Sequence, residues 1–154
     1  MVYLITHGKR NFGLDPSHTQ EGLDQIAALW DKLPRGISLI VIGTGKRFYE
    51  IYCVLQAKLK GIPIKFSPFC SSADGLEADG KIITVEKRTV VPDDYIGLIG
   101  SNCFDAWKFV SDLPENTLLC SGGELLIALD QKEIYEKGQL YELDPETKNG
   151  RRIQ

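Results

Sequence analysis

The sequence is poor in residues that bind metals. It has two histidines and four cysteines in 154 residues, and Cys53, Cys70, Cys103 and Cys120 form no Cys-x-x-Cys pair. A structural zinc site needs four clustered nitrogen or sulfur ligands, so neither a metal nor any other cofactor is expected. Cysteines so widely spaced read as mostly buried, reduced thiols of a cytoplasmic protein. Long apolar runs are missing too. The first, residues 2–5 (VYLI), is too short for a signal-peptide core or a membrane span, and no membrane partner is expected. Nor is positive charge in excess: 18 Lys and Arg stand against 21 Asp and Glu, a net −3. Nucleic-acid binding usually needs a net basic surface and is not expected, which leaves room for a local basic pocket only.

What is present suits one globular domain over residues 1–154, with 43% hydrophobic and 25% charged residues. No repeat, linker or second domain stands out, and nothing sets the oligomeric state. Residues 2–5 read as a short buried strand. Residues 18–33 read as a helix with Thr19 as N-cap and Leu23, Ile26, Ala27, Trp30 and Leu33 on one apolar face, closed by Pro34-Arg35-Gly36. Residues 37–42 (ISLIVI) have the continuous apolar character of a central parallel strand. A helix over 46–60 follows, with Phe48, Ile51, Tyr52, Leu55 and Leu59 facing inward, and then a strand over 62–66. This β-α-β-α-β order predicts a three-layer α/β/α fold around a mostly parallel sheet.

Residues 67–80 read as a loop or insertion, 81–91 as a strand or hairpin, and 95–99 as a strand or short helix. A helix over 103–111, a buried strand over 116–120, a helix over 124–136, a closing strand over 139–143 and a polar tail over 144–154 complete the reading.

Three strands thus end in small-residue turns: at His7-Gly8, at Gly43-Thr44-Gly45 and at Ser121-Gly122-Gly123. Open parallel sheets bind ligands at the carboxyl ends of their strands, where helix N-termini favour anions. With His7, Lys9, Arg10, Lys46 and Arg47 nearby in sequence, the simplest ligand is a phosphate or similar anion. The Gly43-Thr44-Gly45-Lys46 stretch is too short for a nucleotide P-loop, and Phe48 follows Lys46-Arg47.

These segments, in this order, resemble the histidine phosphatase superfamily with its phosphoglycerate-mutase-like fold. That family opens with a strand ending in Arg-His-Gly, often with an Asn soon after; here the stretch is Thr6-His7-Gly8 with Asn11. A Leu-Thr-x-x-Gly helix start is matched by His18-Thr19-Gln20-Glu21-Gly22, and a helix start bearing Ser and Arg by Thr44-Gly45-Lys46-Arg47. A late strand ending in Ser-His-Gly-Gly is matched by Cys120-Ser121-Gly122-Gly123. The small size is similar to that of the compact phosphohistidine-phosphatase-like members.

The resemblance implies that His7 is a nucleophile forming a phosphohistidine, with Glu77 as the acid that protonates the leaving group and Asp74 and Asp79 as rivals. It implies phosphate contacts from Arg47, Thr6, Lys9, Arg10, Asn11, Thr44, Ser121 and Gly122. Two positions depart from the pattern. The first family arginine falls at Thr6 and the second histidine at Ser121, where a hydroxyl supplies no charge. Lys9 or Arg10 leaning into the pocket would compensate in part, though a lysine lacks the planar bidentate fork. The bland readings stand beside these: Lys9 and Arg10 as surface cations, Ser121 as a turn or N-cap residue, His18 as a surface or packing residue.

Two functions are therefore expected. One is a degenerate, catalytically impaired histidine-phosphatase-like domain that binds a phosphorylated small molecule or a phosphoprotein. The other is an active phosphomonoesterase or phosphohistidine phosphatase that uses His7 in a rebuilt pocket.

Overall fold

In a computed structural model, which describes residues 1–13, 16–43, 45–67, 70 and 106–154, six strands form one sheet. The strands are β1 (Val2–Thr6), β2 (Leu39–Gly43), β3 (Ile64–Ser67), β4 (Thr117–Ser121), β5 (Leu140–Asp144) and β6 (Asn149–Arg152). Their order is β3-β2-β4-β1-β5-β6. Neighbours among β3, β2, β4 and β1 are parallel, and β5 and β6 add an antiparallel edge. The helices are α1 (Gln20–Ala27), α2 (Lys46–Leu55), α3 (Ala106–Ser111) and α4 (Gly123–Ala128). The expectations for 81–91 and 95–99, most of 67–80, Thr44, Glu77 and Cys103 fall outside the described residues.

β1, β2 and β4 are apolar on both faces because both are covered, as their sequences predict. Side chains alternate across the sheet, so each strand feeds two cores. Ile5, Ile40, Ile42, Leu118 and Cys120 pack with Ile26, Leu29, Phe48, Ile51 and Leu55 beneath α1 and α2. Val2, Leu4, Leu39, Val41 and Leu119 pack with Ala106, Val110, Leu125 and Leu126 beneath α3 and α4. The result is the expected three-layer α/β/α arrangement.

Several element boundaries differ from the sequence reading. The helix expected over 18–33 stops at Ala27 and continues as a 3-10 turn at Trp30–Lys32. That tighter winding rotates the apolar face, so Leu29 is buried while Trp30 is 37% exposed. The helix expected over 46–60 ends at Leu55 and likewise tightens into a 3-10 turn, Gln56–Lys58. The helix expected over 124–136 ends at Ala128. Asp130 takes a left-handed conformation (φ 59°), and a 3-10 turn follows at Lys132–Ile134.

The polar tail expected over 144–154 contains β6. Asp144 caps the turn by accepting from the Glu146 N–H (3.0 Å), Lys148 adopts φ 53°, and the chain returns along β5. Cys53, expected to be buried, is exposed on α2 because Ile51 and Leu55 take the buried stripe. Cys70 and Cys120 are buried free thiols. Among the described residues, no helix is long and apolar enough to cross a membrane.

Candidate functional site

β1 ends beside β4, and the register pairs Thr6 with Ser121. The parallel pattern continues one step further through the His7 N–H, which donates to the Ser121 carbonyl (2.9 Å). This brings Gly122, not Ser121, level with His7. A Cβ on Gly122 would lie 3.1 Å from His7 Cδ2 and 3.4 Å from its Nε2. Alternation then separates the predicted residues. His7 continues the Ile5 side of the sheet, beneath α1 and α2, whereas Thr6 and Ser121 continue the other side.

The hydroxyls of Thr6 and Ser121 are engaged there. Thr6 Oγ1 donates to the Glu136 carbonyl (2.7 Å) and accepts from the Gln139 N–H (3.1 Å). Ser121 Oγ donates to the Cys70 carbonyl (2.6 Å). Both side chains stitch the sheet to loops on the α3/α4 side.

On the His7 side the imidazole is 4% exposed. Its Nδ1 lies 2.8 Å from the Gly8 carbonyl. A carbonyl only accepts, so Nδ1 carries the proton and Nε2 keeps its lone pair. Burial, with the positive charges of Arg47 and Arg10 and the neighbouring His18 adding to it, pushes the His7 pKa down to about 4. The ring is therefore neutral at physiological pH.

Arg47 lies in the first turn of α2 and is 1% exposed, with its guanidinium 4.5 Å from the Phe48 ring centre. The Phe48 ring in turn packs 5.9 Å from His7. A buried guanidinium and the positive end of a helix thus add their potentials beside a neutral imidazole. Arg10 is half-buried and pairs through its backbone with His18.

Other expected contacts point elsewhere. Lys9 Nζ makes an exposed ion pair with Glu21 (2.9 Å). Asn11 is exposed, and its amide donates to Ser17 Oγ and to the His18 carbonyl, both at 3.3 Å. His18 is no surface residue: its ring is buried, 6.2 Å from that of His7. Its Nδ1 lies 3.0 Å from Glu50 Oε1.

Glu124 and Tyr135 were not anticipated. Glu124 Oε2 lies 3.1 Å from the Cβ point on Gly122, the point that His7 Nε2 also faces. The Tyr135 ring covers Gly123, where a Cβ would come within 2.4 Å of it. Burial, with Glu124 beside it, raises the Tyr135 pKa, while Arg10 and Arg47 oppose that rise. The one available signal in the sequence was that Glu124 directly follows Gly122-Gly123. The described residues hold no cluster of His, Cys, Asp and Glu suited to a metal ion.

Solved structures share the fold over nearly the whole chain. A phosphoglycerate mutase from Thermus thermophilus matches with a TM-score of 0.54 and 18% identity, covering 93% of this chain and 92% of the other. The protein assigned as phosphohistidine phosphatase SixA in Agrobacterium tumefaciens matches with a TM-score of 0.55 and 17% identity, covering 99% and 94%. The chain has the phosphoglycerate-mutase-like fold. The TTHB049 protein of Thermus thermophilus is similar to it as well, with a TM-score of 0.58 and 16% identity over 93% and 92% of the two chains. No protein-family model and no curated protein matches the sequence. In this phosphoglycerate-mutase-like fold, His7, Arg47, Gly122 and Glu124 gather at the carboxyl ends of β1, β2 and β4, where ligands of open parallel sheets bind.

Proposed function

We propose that the chain is a histidine-phosphatase-like domain that binds a phosphoryl group between His7 and Arg47 and catalyses its transfer weakly or not at all. One observation carries this reading. The Thr6 and Ser121 hydroxyls, at the two positions where the resembled family has charged or ionisable groups, are both given to backbone carbonyls on the opposite side of the sheet. Phosphoryl transfer depends on charged donors that strengthen in the transition state. Losing one costs on the order of 2–4 kcal/mol, or roughly 10²–10³ in rate. The Glu124 carboxylate beside the site adds repulsion toward a dianion. The ligand would be a phosphorylated small molecule or a phosphoprotein. Free thiols at Cys53, Cys70 and Cys120 support a reducing, cytoplasmic setting.

The neutral, Nδ1-protonated state of His7 favours a second reading, an active phosphatase. Nε2 would attack phosphorus, the P–O ester bond would break, and the leaving oxygen would take a proton from Glu77 or Glu124. Water would then hydrolyse the phosphohistidine. Hydrolysis of an aryl phosphate by the wild type and by His7→Ala separates the two. Equal residual rates support the impaired site, while a rate that His7→Ala abolishes supports the active one. Calorimetric titration with phosphate and vanadate tests the binding itself. No heat of binding for either anion would overturn both readings.

A further inference from the structure

Gly8 is the residue whose carbonyl orients the His7 ring, and its backbone is soft by nature. It cannot be stiffened by a side chain, because a Cβ there would lie 2.6 Å from the Gly22 carbonyl oxygen. Its orientation therefore has to come from outside. Both peptides flanking Gly8 are in fact held by residues of the α1 region. The Lys9 N–H donates to Gln25 Oε1 (2.8 Å), which fixes the peptide that carries the Gly8 carbonyl. The Gly8 N–H donates to His18 Nε2 (2.9 Å).

An imidazole nitrogen that accepts from an N–H must bear its lone pair, so the His18 proton sits on Nδ1. That proton faces Glu50 Oε1, which lies 3.0 Å from Nδ1, and the same oxygen accepts from the His18 backbone N–H (2.8 Å). Glu50 stands on α2, one turn beyond Arg47. The chain of bonds thus runs from α2 through Glu50, His18 and Gly8 to His7.

We infer that His18 is a positioning residue for His7: Glu50 selects its tautomer, and its Nε2 clamps the glycine whose carbonyl aims the His7 ring. The inference rests on the proposed anion site in that His7 is the group being aimed. Burying an ionisable pair costs desolvation that an apolar pair would not, and here the pair supplies the one acceptor that the Gly8 N–H uses. Among the described residues, the titratable and charged groups facing His18 are Glu50 and Arg47 from α2 and His7 from the β1 turn.

The chain holds only two histidines, so imidazole ¹⁵N spectra read both tautomers directly. In the wild type both rings are expected as Nδ1–H. In His18→Leu, His7 is expected to become a mixture of tautomers. Inorganic phosphate should then bind about tenfold more weakly, roughly one hydrogen bond's worth. His18→Gln, whose amide oxygen can accept from Gly8, is expected to restore the His7 spectrum. A His7 tautomer unchanged in folded His18→Leu would overturn the inference. Glu50→Met provides an independent reading if His18→Leu does not fold. It should mix the His18 tautomers and carry His7 with them, and a His7 signal indifferent to that change also overturns the inference. The spectra need no ligand, so a wild type that binds no phosphate or vanadate defeats the proposed function while this test still decides the positioning role.

Discussion

Gly8 and Gly22 meet backbone to backbone. A Cβ on Gly22 would lie 2.0 Å from the Lys9 carbonyl oxygen and 2.9 Å from the His18 ring. The contact presses the first turn of α1 against the turn that carries His7. Alanine is the better helix former by about 1 kcal/mol, so propensity alone would have Gly22→Ala stabilise the protein. The clash is with backbone, which cannot step aside as a flexible side chain can. Gly22→Ala is expected to lose about 1–3 kcal/mol net in urea unfolding and to weaken phosphate binding by displacing His7. A stabilised variant would show that Gly22 is not packed against the Lys9 carbonyl.

The hydroxyl of Thr6 ties β1 to the segment that leads into β5. Thr6→Val keeps the shape and removes the bonds to Glu136 and Gln139. The half-buried Gln139 N–H then loses an acceptor, which costs about 1 kcal/mol. Calorimetry should show the affinity for vanadate unchanged. A large fall in affinity with little change in stability would place the hydroxyl on the anion instead.

Arg47 is the buried cation of the site. Arg47→Lys keeps the charge but loses the planar fork that grips two phosphoryl oxygens. Affinity for vanadate is expected to fall about 10–100-fold. Arg47→Met should also raise the His7 pKa, because the positive charge of Arg47 is among the causes that depress it. A His7 titration that does not move would separate Arg47 from the site.

The His7 pKa is about 4 in the folded protein, below its ordinary value of 6.5, chiefly because the ring is buried. Between these values the unfolded chain binds a proton that the folded one refuses. Stability is therefore complete above pH 6.5 and is lost as the pH falls toward 4. For His7 alone the loss amounts to about 3 kcal/mol. His18, also lowered by burial against the opposing effect of Glu50, acts in the same direction. Urea midpoints measured across this range should fall more steeply for the wild type than for His7→Asn. Equal slopes would mean that His7 is hydrated in the folded state.

Much of the architecture was legible because it depends on short-range patterns. The continuous apolar runs of β2 and β4 announced strands covered on both faces. The turns at Gly8, Gly43 and Gly122 marked the edge where a site forms. The helix ends were less legible. The 3-10 turns at Trp30–Lys32 and Gln56–Lys58, and the break at Asp130, leave the apolar spacing close to helical while changing its winding. β6 was missed because its polar residues pair along an outer edge and bury no apolar stripe of their own.

At the site, residue type and the strand ends marked His7, Lys9, Arg10, Lys46 and Arg47 as candidates, and the family resemblance gave His7 and Arg47 their roles. The same local information said less about their neighbours. The resemblance matches Ser121 to the second family histidine, and the β1–β4 register pairs Ser121 with Thr6 and brings Gly122 level with His7. The bland reading makes His18 a surface or packing residue. It is buried, as the packing reading has it. Its bonds to Gly8 and Glu50 were not legible, because these partners lie 10 and 32 positions away along the chain. The sequence by itself determined the apolar strands of the core, the turns that follow them and the candidates His7 and Arg47. The tertiary structure alone decided which hydroxyls are already bonded, which glycine stands beside the imidazole and which distant carboxylate selects a tautomer. Those outcomes depend on register and on contacts between separate elements, and no local periodicity encodes either.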